Sequence, residues 1–172
     1  MKKVIFSLAI VVIIGVTASL GLLDVAFYYD DISEQDYRIS LKKATTIFKE
    51  EAHQKKVDVI RFIAKRDVNN QTNNTFDYRF ICQNQVVVID PRTGKTAINP
   101  LEKTEKKSYT SFDVDTISSV KTPQAAMKEA LKQCGQKRAK VKDWHLLMRK
   151  GKLYYEIDLL GNNKTQRVKI DA

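Results

Sequence analysis

The residues of this sequence that could do acid–base chemistry or bind a metal are few and widely separated. His53 and His145 are its two histidines. His53 falls at the end of a predicted helix, and His145 alternates with Trp144 and Leu146 along a predicted strand, on the face opposite those two side chains. Catalysis or zinc binding needs several such groups that converge at short spacing. We therefore predict no catalytic residue, no metal ligand and no cofactor, and we expect a protein that is not an enzyme.

The two cysteines and one aspartate allow more than one interpretation. Cys82 lies in a predicted strand and Cys134 at the end of a predicted helix. They could form one disulfide in an oxidising compartment, or they could remain two separate, partly buried thiols. Asp90 could bind a cation, but ahead of Pro91 and Thr93-Gly94 its more usual role is to cap the backbone of a turn. The sequence contains no phosphate-binding glycine loop, His-x-x-x-His pair or Gly-x-Ser-x-Gly motif.

The N-terminus predicts the compartment. Lys2 and Lys3 precede a run from Val4 to Leu23 that contains no charge, and as a helix this run would span about 30 Å, the thickness of a bilayer core. Lysines ahead of such a run stay in the cytoplasm. We predict that residues 1–29 form a single-pass membrane anchor, with a cytoplasmic N-terminus and the remaining chain outside the cytoplasm. The alternative is a signal peptide cleaved after Val16-Thr17-Ala18, followed by secretion.

The charge balance limits the partners. The formal net charge is +10, and little of this excess precedes the apolar run. Outside a cell, a basic surface favours anionic lipids or cell-wall polymers. The sequence has no recognition-helix signature, RNA-binding aromatic motif or zinc-finger spacing, so we predict no nucleic-acid partner.

The elements that must position these residues fall into two similar sets. The first set is a helix from Ser40 to about Gln54, with the buried stripe Leu41, Ala44, Ile47, Phe48 and Ala52, followed by strands. These strands are predicted from Val57 to about Asp67, from Phe76 to Cys82 and from Val86 to Ile89, ahead of the turn Asp90 to Lys95.

The second set repeats this order. Thr122 is a predicted N-cap, Pro123 opens the helix and Gly135 ends it. Three strands are predicted to follow, from Val141 to Met148, from Leu153 to Leu160 and from Lys164 to Asp171. Residues 97–119, with Pro100 and the mixed charges of 102–107, are predicted to be a linker.

The two sets can be laid over each other, which indicates a duplication. Ala44 then aligns with Ala126, and Asp90 with Asp171, at nearly the same spacing. The predicted fold class is α+β, with a first unit at 30–96 and a second at 120–172. Each unit is predicted to be one α-helix packed on a three-stranded antiparallel sheet. Because such a unit has little core of its own, we expect the two to pack together.

Several of these residues resemble the PepSY family. In that family a tyrosine in a middle strand is followed by alternating residues, as in Tyr78-Arg79-Phe80 and Tyr155-Glu156-Ile157. The last strand of a PepSY unit ends in Asp-x-x-Thr-Gly-Lys, which the residues from Asp90 to Lys95 match fully. Val168-Lys169-Ile170-Asp171 matches the last strand of the second unit, without the following Thr-Gly.

The resemblance implies a binding function and no catalytic residues. PepSY units occur in the propeptides of thermolysin-type metalloproteases and in exported bacterial proteins, and the family has been proposed to restrain peptidases outside the cytoplasm. We therefore expect an extracytoplasmic binding module that acts on an envelope protein, with a peptidase as one candidate. Its partner would use an exposed sheet edge or the polar sheet face. The alternative is a basic structural protein that associates with anionic wall polymer or lipid.

Overall fold

A computed structural model describes residues 31–33, 37–65, 75–101, 109–136, 138–161 and 164–172. The predicted anchor at 1–29 lies outside these residues. Residues from Asp31 to Ala172 form one compact unit. Of the helices in the described ranges, none has the length and apolar character needed to cross a membrane.

Both predicted helices are confirmed, together with their caps. Helix α1 is Leu41–Ala52, and the Ser40 side chain accepts a hydrogen bond from the backbone N–H of Lys43. Helix α2 is Pro123–Cys134, with the Thr122 side chain as its N-cap. It ends at Gly135, where φ is 66°, a left-handed conformation that glycine adopts without a Cβ penalty.

The described residues include nine strands. Two short strands, β1 and β6, form a separate pair. The other seven form one antiparallel sheet in the order β5-β4-β3-β2-β7-β8-β9. The bounds are β1 Lys56–Val57, β2 Val59–Lys65, β3 Thr75–Cys82, β4 Gln85–Ile89, β5 Thr96–Pro100, β6 Phe112–Asp113, β7 Lys140–Arg149, β8 Lys152–Gly161 and β9 Lys164–Asp171.

The single sheet corrects the expectation of two three-stranded sheets. Strands β2 and β7 pair antiparallel over four residues, from Val59 opposite Leu147 to Phe62 opposite Trp144. This pairing joins a four-stranded first half, which carries α1, to a three-stranded second half, which carries α2. The expectation that the two halves pack together is confirmed, and they do so through backbone hydrogen bonds as well as side chains.

The residues predicted as a linker include regular structure. Strand β5 pairs with β4, and β6 pairs with β1. A 3₁₀ helix at Val114–Ser119 is joined to α1 and the segment that follows it, since Asp115 contacts Lys49 at 2.7 Å and Lys55 at 3.1 Å. The composition of residues 97–119 did not predict these elements, because they are stabilised by contacts with other parts of the chain.

The core lies between the two helices and one face of the sheet. At the junction of the halves the rings of Phe62 and Trp144 stack with centroids 5.7 Å apart. The edge of the Trp144 ring also meets Tyr155 at 5.6 Å and Tyr78 at 6.2 Å, and Trp144 is 1% exposed. Aromatic pairs in these arrangements add stability beyond the area that they bury. The junction is therefore the most densely aromatic part of the core.

The two tyrosines of the predicted middle strands make equivalent contacts. Tyr78 donates its hydroxyl hydrogen to the carbonyl of Ile39 at 3.0 Å, and Tyr155 donates to the carbonyl of Lys121 at 2.8 Å. Each acceptor directly precedes the N-cap of the helix in its half. In both halves, a buried hydroxyl thus finds a partner and holds the chain where it enters the helix.

The first described segment is docked on the second half. The backbone N–H of Ile32 donates to the carbonyl of Val141 at 3.2 Å, and the Asp31 carboxylate accepts from the N–H of Val141 at 3.2 Å. The Ile32 side chain is fully buried in the main core. Asp31 and Ile32 therefore belong to the fold.

Candidate functional site

The face of the sheet opposite the helices is partly apolar and partly polar. Val59, Ile81, Val86 and Leu147 form a second buried apolar cluster there, against which Leu101 and Tyr109 pack, and polar side chains lie beside it. Because side chains alternate along a strand, those next to Phe62, Trp144 and Tyr155 project to this second face. Across neighbouring strands it carries a row of charged and titratable residues at matching positions: Arg79 in β3, Arg61 in β2, His145 in β7, Glu156 in β8 and Lys169 in β9. We call this surface the outer face.

A groove crosses the outer face at the junction of the halves. It has a volume of about 520 Å³. On one side Tyr109 approaches the sheet, and its hydroxyl lies 3.4 Å from the Arg61 guanidinium. We call this site the outer groove; it is lined by Arg61, Tyr109, Thr110, His145, Met148, Arg149, Glu156 and Arg167. Its volume lies within the range of sites that bind small molecules or peptide segments.

An ion-pair network links the three strands beside the groove. Glu156 lies 2.9 Å from Arg149 through one oxygen and 3.5 Å from Arg167 through the other. Arg167 also makes two hydrogen bonds to Asp158, at 2.6 and 2.7 Å. A two-pronged contact of this kind fixes the plane of the guanidinium. The network holds its charges in defined positions on a rigid sheet.

A pair of carboxyl groups extends the network. Asp143 and Asp158 lie directly opposite each other on β7 and β8, next to a register shift. Burial and the Asp158 charge raise the pKa of Asp143 to about 7, and a hydrogen bond between the two groups favours its protonated form. Although burial acts in the opposite direction, the hydrogen bond and charge of Arg167 hold the pKa of Asp158 below its ordinary value. Asp143 thus holds a proton under conditions in which Asp158 is ionised.

The two histidines occupy different environments. His145 lies on the outer face, as its alternation predicts, and lines the groove with its Nε2 atom 3.7 Å from the Asp143 carboxylate. His53 is exposed at the C-terminus of α1, with a left-handed φ of 50°. Within the described ranges, no three residues among the histidines, cysteines and acids are arranged to hold a metal ion.

The remaining candidates have local structural roles. Cys82 is buried in β3 and Cys134 half-buried at the end of α2, and the two thiols are unbonded. Asp90 accepts hydrogen bonds from the backbone N–H groups of Arg92 at 2.7 Å and Thr93 at 3.0 Å. The turn continues through Gly94, where φ is 74°. The interpretation of Asp90 as a turn cap is therefore confirmed.

Sequence reasoning did not identify the residues that carry the groove. Glu156 and Arg167 lie on the polar faces of predicted strands, and Arg149 directly follows the predicted strand from Val141 to Met148. The available signal was the acids Glu156 and Asp158, which flank Ile157 within a strand that is hydrophobic on its other face. Their burial follows from the neighbouring strands β7 and β9, whose register the sequence did not predict.

Comparison with known protein families finds a match for part of the chain. Residues 120–172 match the model of the family described as PepSY, peptidase propeptide and YPEB domain. The matched range contains α2, β7, β8 and β9, and hence Arg149, Glu156 and Arg167. No curated protein matches the chain.

A solved structure has a similar fold. It is the crystal structure of a candidate lipoprotein from Clostridium difficile 630, with 22% sequence identity and a TM-score of 0.58. The similarity covers 82% of this chain and 91% of the other. The helix-on-sheet fold therefore exists in a solved protein, and residues 120–172 of this chain are similar to the PepSY family.

Proposed function

We propose that this chain is an extracytoplasmic, non-enzymatic module that is held at the membrane by its N-terminus and that binds another envelope protein through the outer groove. The observation that carries the proposal is the groove, where the half-exposed side chains of Arg149 and Arg167 pair with buried carboxylates of the sheet. A surface of this kind can select a partner by charge and shape without reacting with it.

Three further observations support the proposal. The PepSY match is to a family that includes peptidase propeptides. The solved neighbour is described as a candidate lipoprotein, a class of protein held at a membrane surface. The uncharged run from Val4 to Leu23 follows Lys2 and Lys3, the pattern of a membrane anchor or export signal. A peptidase is our first candidate partner, and the duplicated organisation of the two halves belongs to the same proposal.

Photo-crosslinking in intact cells tests this function. A photoreactive amino acid at Thr110, on the exposed rim of the groove, should capture an envelope protein that mass spectrometry can identify. The same amino acid at Lys128, which is exposed on α2 and therefore on the helix side of the sheet, is the matched control. Capture of the same proteins at both positions, or of none at Thr110, would count against the groove as a binding site.

A second candidate function is association with an anionic wall polymer or lipid surface. It is favoured by the net charge of +10 and by exposed Lys164, Arg167 and Lys169 on the edge strand β9. Binding of this kind should weaken steeply with salt, because exposed charges are screened within about 10 Å at 0.1 M. Sedimentation with phosphatidylglycerol vesicles at 0.05 and 0.5 M salt should then show loss of most bound protein. Binding that survives high salt would contradict an electrostatic association.

A further inference from the structure

The two arginines that contact Glu156 are not equivalent. Arg167 is held by its two hydrogen bonds to Asp158, so its guanidinium has a fixed place. Arg149 has a single ion-pair contact of 2.9 Å with Glu156, and its side chain is 57% exposed. Arg149 can therefore turn towards a group that enters from solvent, whereas Arg167 cannot.

Glu156 shows which groups of the groove a carboxylate can pair with. Its side chain is 10% exposed, and its two oxygens face Arg149 and Arg167. A planar carboxylate in this position meets guanidinium groups from two strands, a geometry that favours carboxylate recognition. The groove thus contains both a carboxylate site and an internal group that fills it.

We propose, on the basis of the function proposed above, that the outer groove binds a carboxylate of an extended peptide segment of the partner protein. In the free protein, Glu156 occupies the arginines as an internal competitor. When the segment binds, its carboxylate contacts Arg149, while Arg167 keeps its hydrogen bonds to Asp158. Affinity is then set by the difference between the ligand carboxylate and Glu156 as partners of Arg149.

The lining of the groove favours a peptide over a polyanion. Glu156 lies between Arg149 and Arg167, so a polymer with a uniform negative charge would meet repulsion there. Tyr109 adds an aromatic side chain to the same groove. A peptide can place one carboxylate at Arg149 and a neutral side chain against Tyr109.

Fluorescence anisotropy on the full chain tests the proposal with three labelled peptides. The first, Gly-Ser-Glu-Val-Glu-Ser-Gly with an amidated C-terminus, offers side-chain carboxylates. The second replaces both glutamates with glutamine and has a free C-terminus, and the third combines glutamine with the amide and has no carboxylate. We expect the first or the second peptide to bind, which identifies the source of the carboxylate, and the third to bind at least tenfold more weakly.

Substitutions in the groove distinguish competition by Glu156 from simple electrostatic attraction of the peptide. Glu156→Gln removes the competitor and should lower the Kd of the bound peptide about fivefold, whereas Arg149→Gln should raise it about tenfold. Lys128→Gln, which removes one positive charge on the helix side, is the matched control and should leave the Kd unchanged. Thermal unfolding of each variant shows whether it is folded. If the Glu156→Gln variant does not fold, the Kd of the Arg149→Gln variant and the binding of the third peptide test the proposal.

Three results would overturn the proposal: equal binding of all three peptides, an unchanged or higher Kd for Glu156→Gln, or binding that depends on Arg149 for phosphatidylglycerol vesicles but not for peptides. Failure of the peptide series together with a specific capture at Thr110 removes only the assigned ligand. Failure of both experiments removes the proposed function as well.

Discussion

Replacement of Trp144 by alanine is expected to lower the free energy of unfolding by about 4 kcal/mol, in a single transition that involves both halves of the sheet. Trp144 is 1% exposed and packs against Phe62 from the first half and Tyr155 from the second. A cavity at this point weakens the β2–β7 junction directly. Because the halves share one core, we expect them to lose stability together.

Urea denaturation monitored by far-ultraviolet circular dichroism measures the loss of stability. Hydrogen exchange shows which strands lose protection. Amides in β3 and in β8 should lose protection by similar free energies in the Trp144→Ala variant. Phe48→Ala is the matched control, since Phe48 is fully buried but stacks on Phe80 within the first half. Two separate transitions, or a loss of protection confined to the second half, would show that the halves are independent.

Replacement of Asp143 by asparagine is expected to stabilise the protein by about 2 kcal/mol above pH 7 and to have little effect near pH 4. The asparagine amide can donate a hydrogen bond to Asp158, as protonated Asp143 does. It does so at every pH, whereas wild-type Asp143 must lose its proton when the pH rises. The groups around Asp143 are Asp158, Arg167, Lys142 and His145, and all four are retained in the variant.

The direction of this effect follows from the pKa of Asp143 in the folded and unfolded states. Burial, followed by the charge of Asp158, raises the pKa of Asp143 in the folded protein to about 7, whereas the ordinary value is 3.8. Between these values the folded protein binds more protons, so wild-type stability falls as the pH rises through this window. Thermal unfolding of both proteins from pH 4 to pH 8 measures the difference. Asp171→Asn, at an exposed position in β9, is the control, and a difference that does not change with pH would refute the assignment.

Helices and strands with strong local sequence signals could be predicted from the sequence. Thr122, Pro123 and Gly135 marked both ends of α2, and alternation marked β3, β7, β8 and β9. Strand β5 was missed because Pro100 and exposed Ile98 are untypical of a strand with a buried face. It forms because β4 offers it a row of backbone partners, which no local pattern contains.

The site was less predictable than the elements, for a related reason. Alternation placed His145, Glu156 and Arg167 on polar strand faces, which is correct. What makes these residues a site is that β7, β8 and β9 align them side by side, and that β2 brings Arg61 next to His145. The pairing of β2 with β7 joins residues far apart in the sequence, and nothing in either segment identifies the other.

The same pairing also protects each half from aggregation. Without its partner, β2 or β7 would be an open edge that carries large apolar side chains, among them Phe62, Trp144 and Leu146. Open edges of this kind recruit strands from other molecules. A polypeptide limited to residues 120–172 would present β7 to a second copy, and two copies joined in this way would reproduce an antiparallel junction. During synthesis, the edge of β2 stays unpaired until β7 has been made. We expect this chain to need a chaperone most in the time between the synthesis of β2 and that of β7.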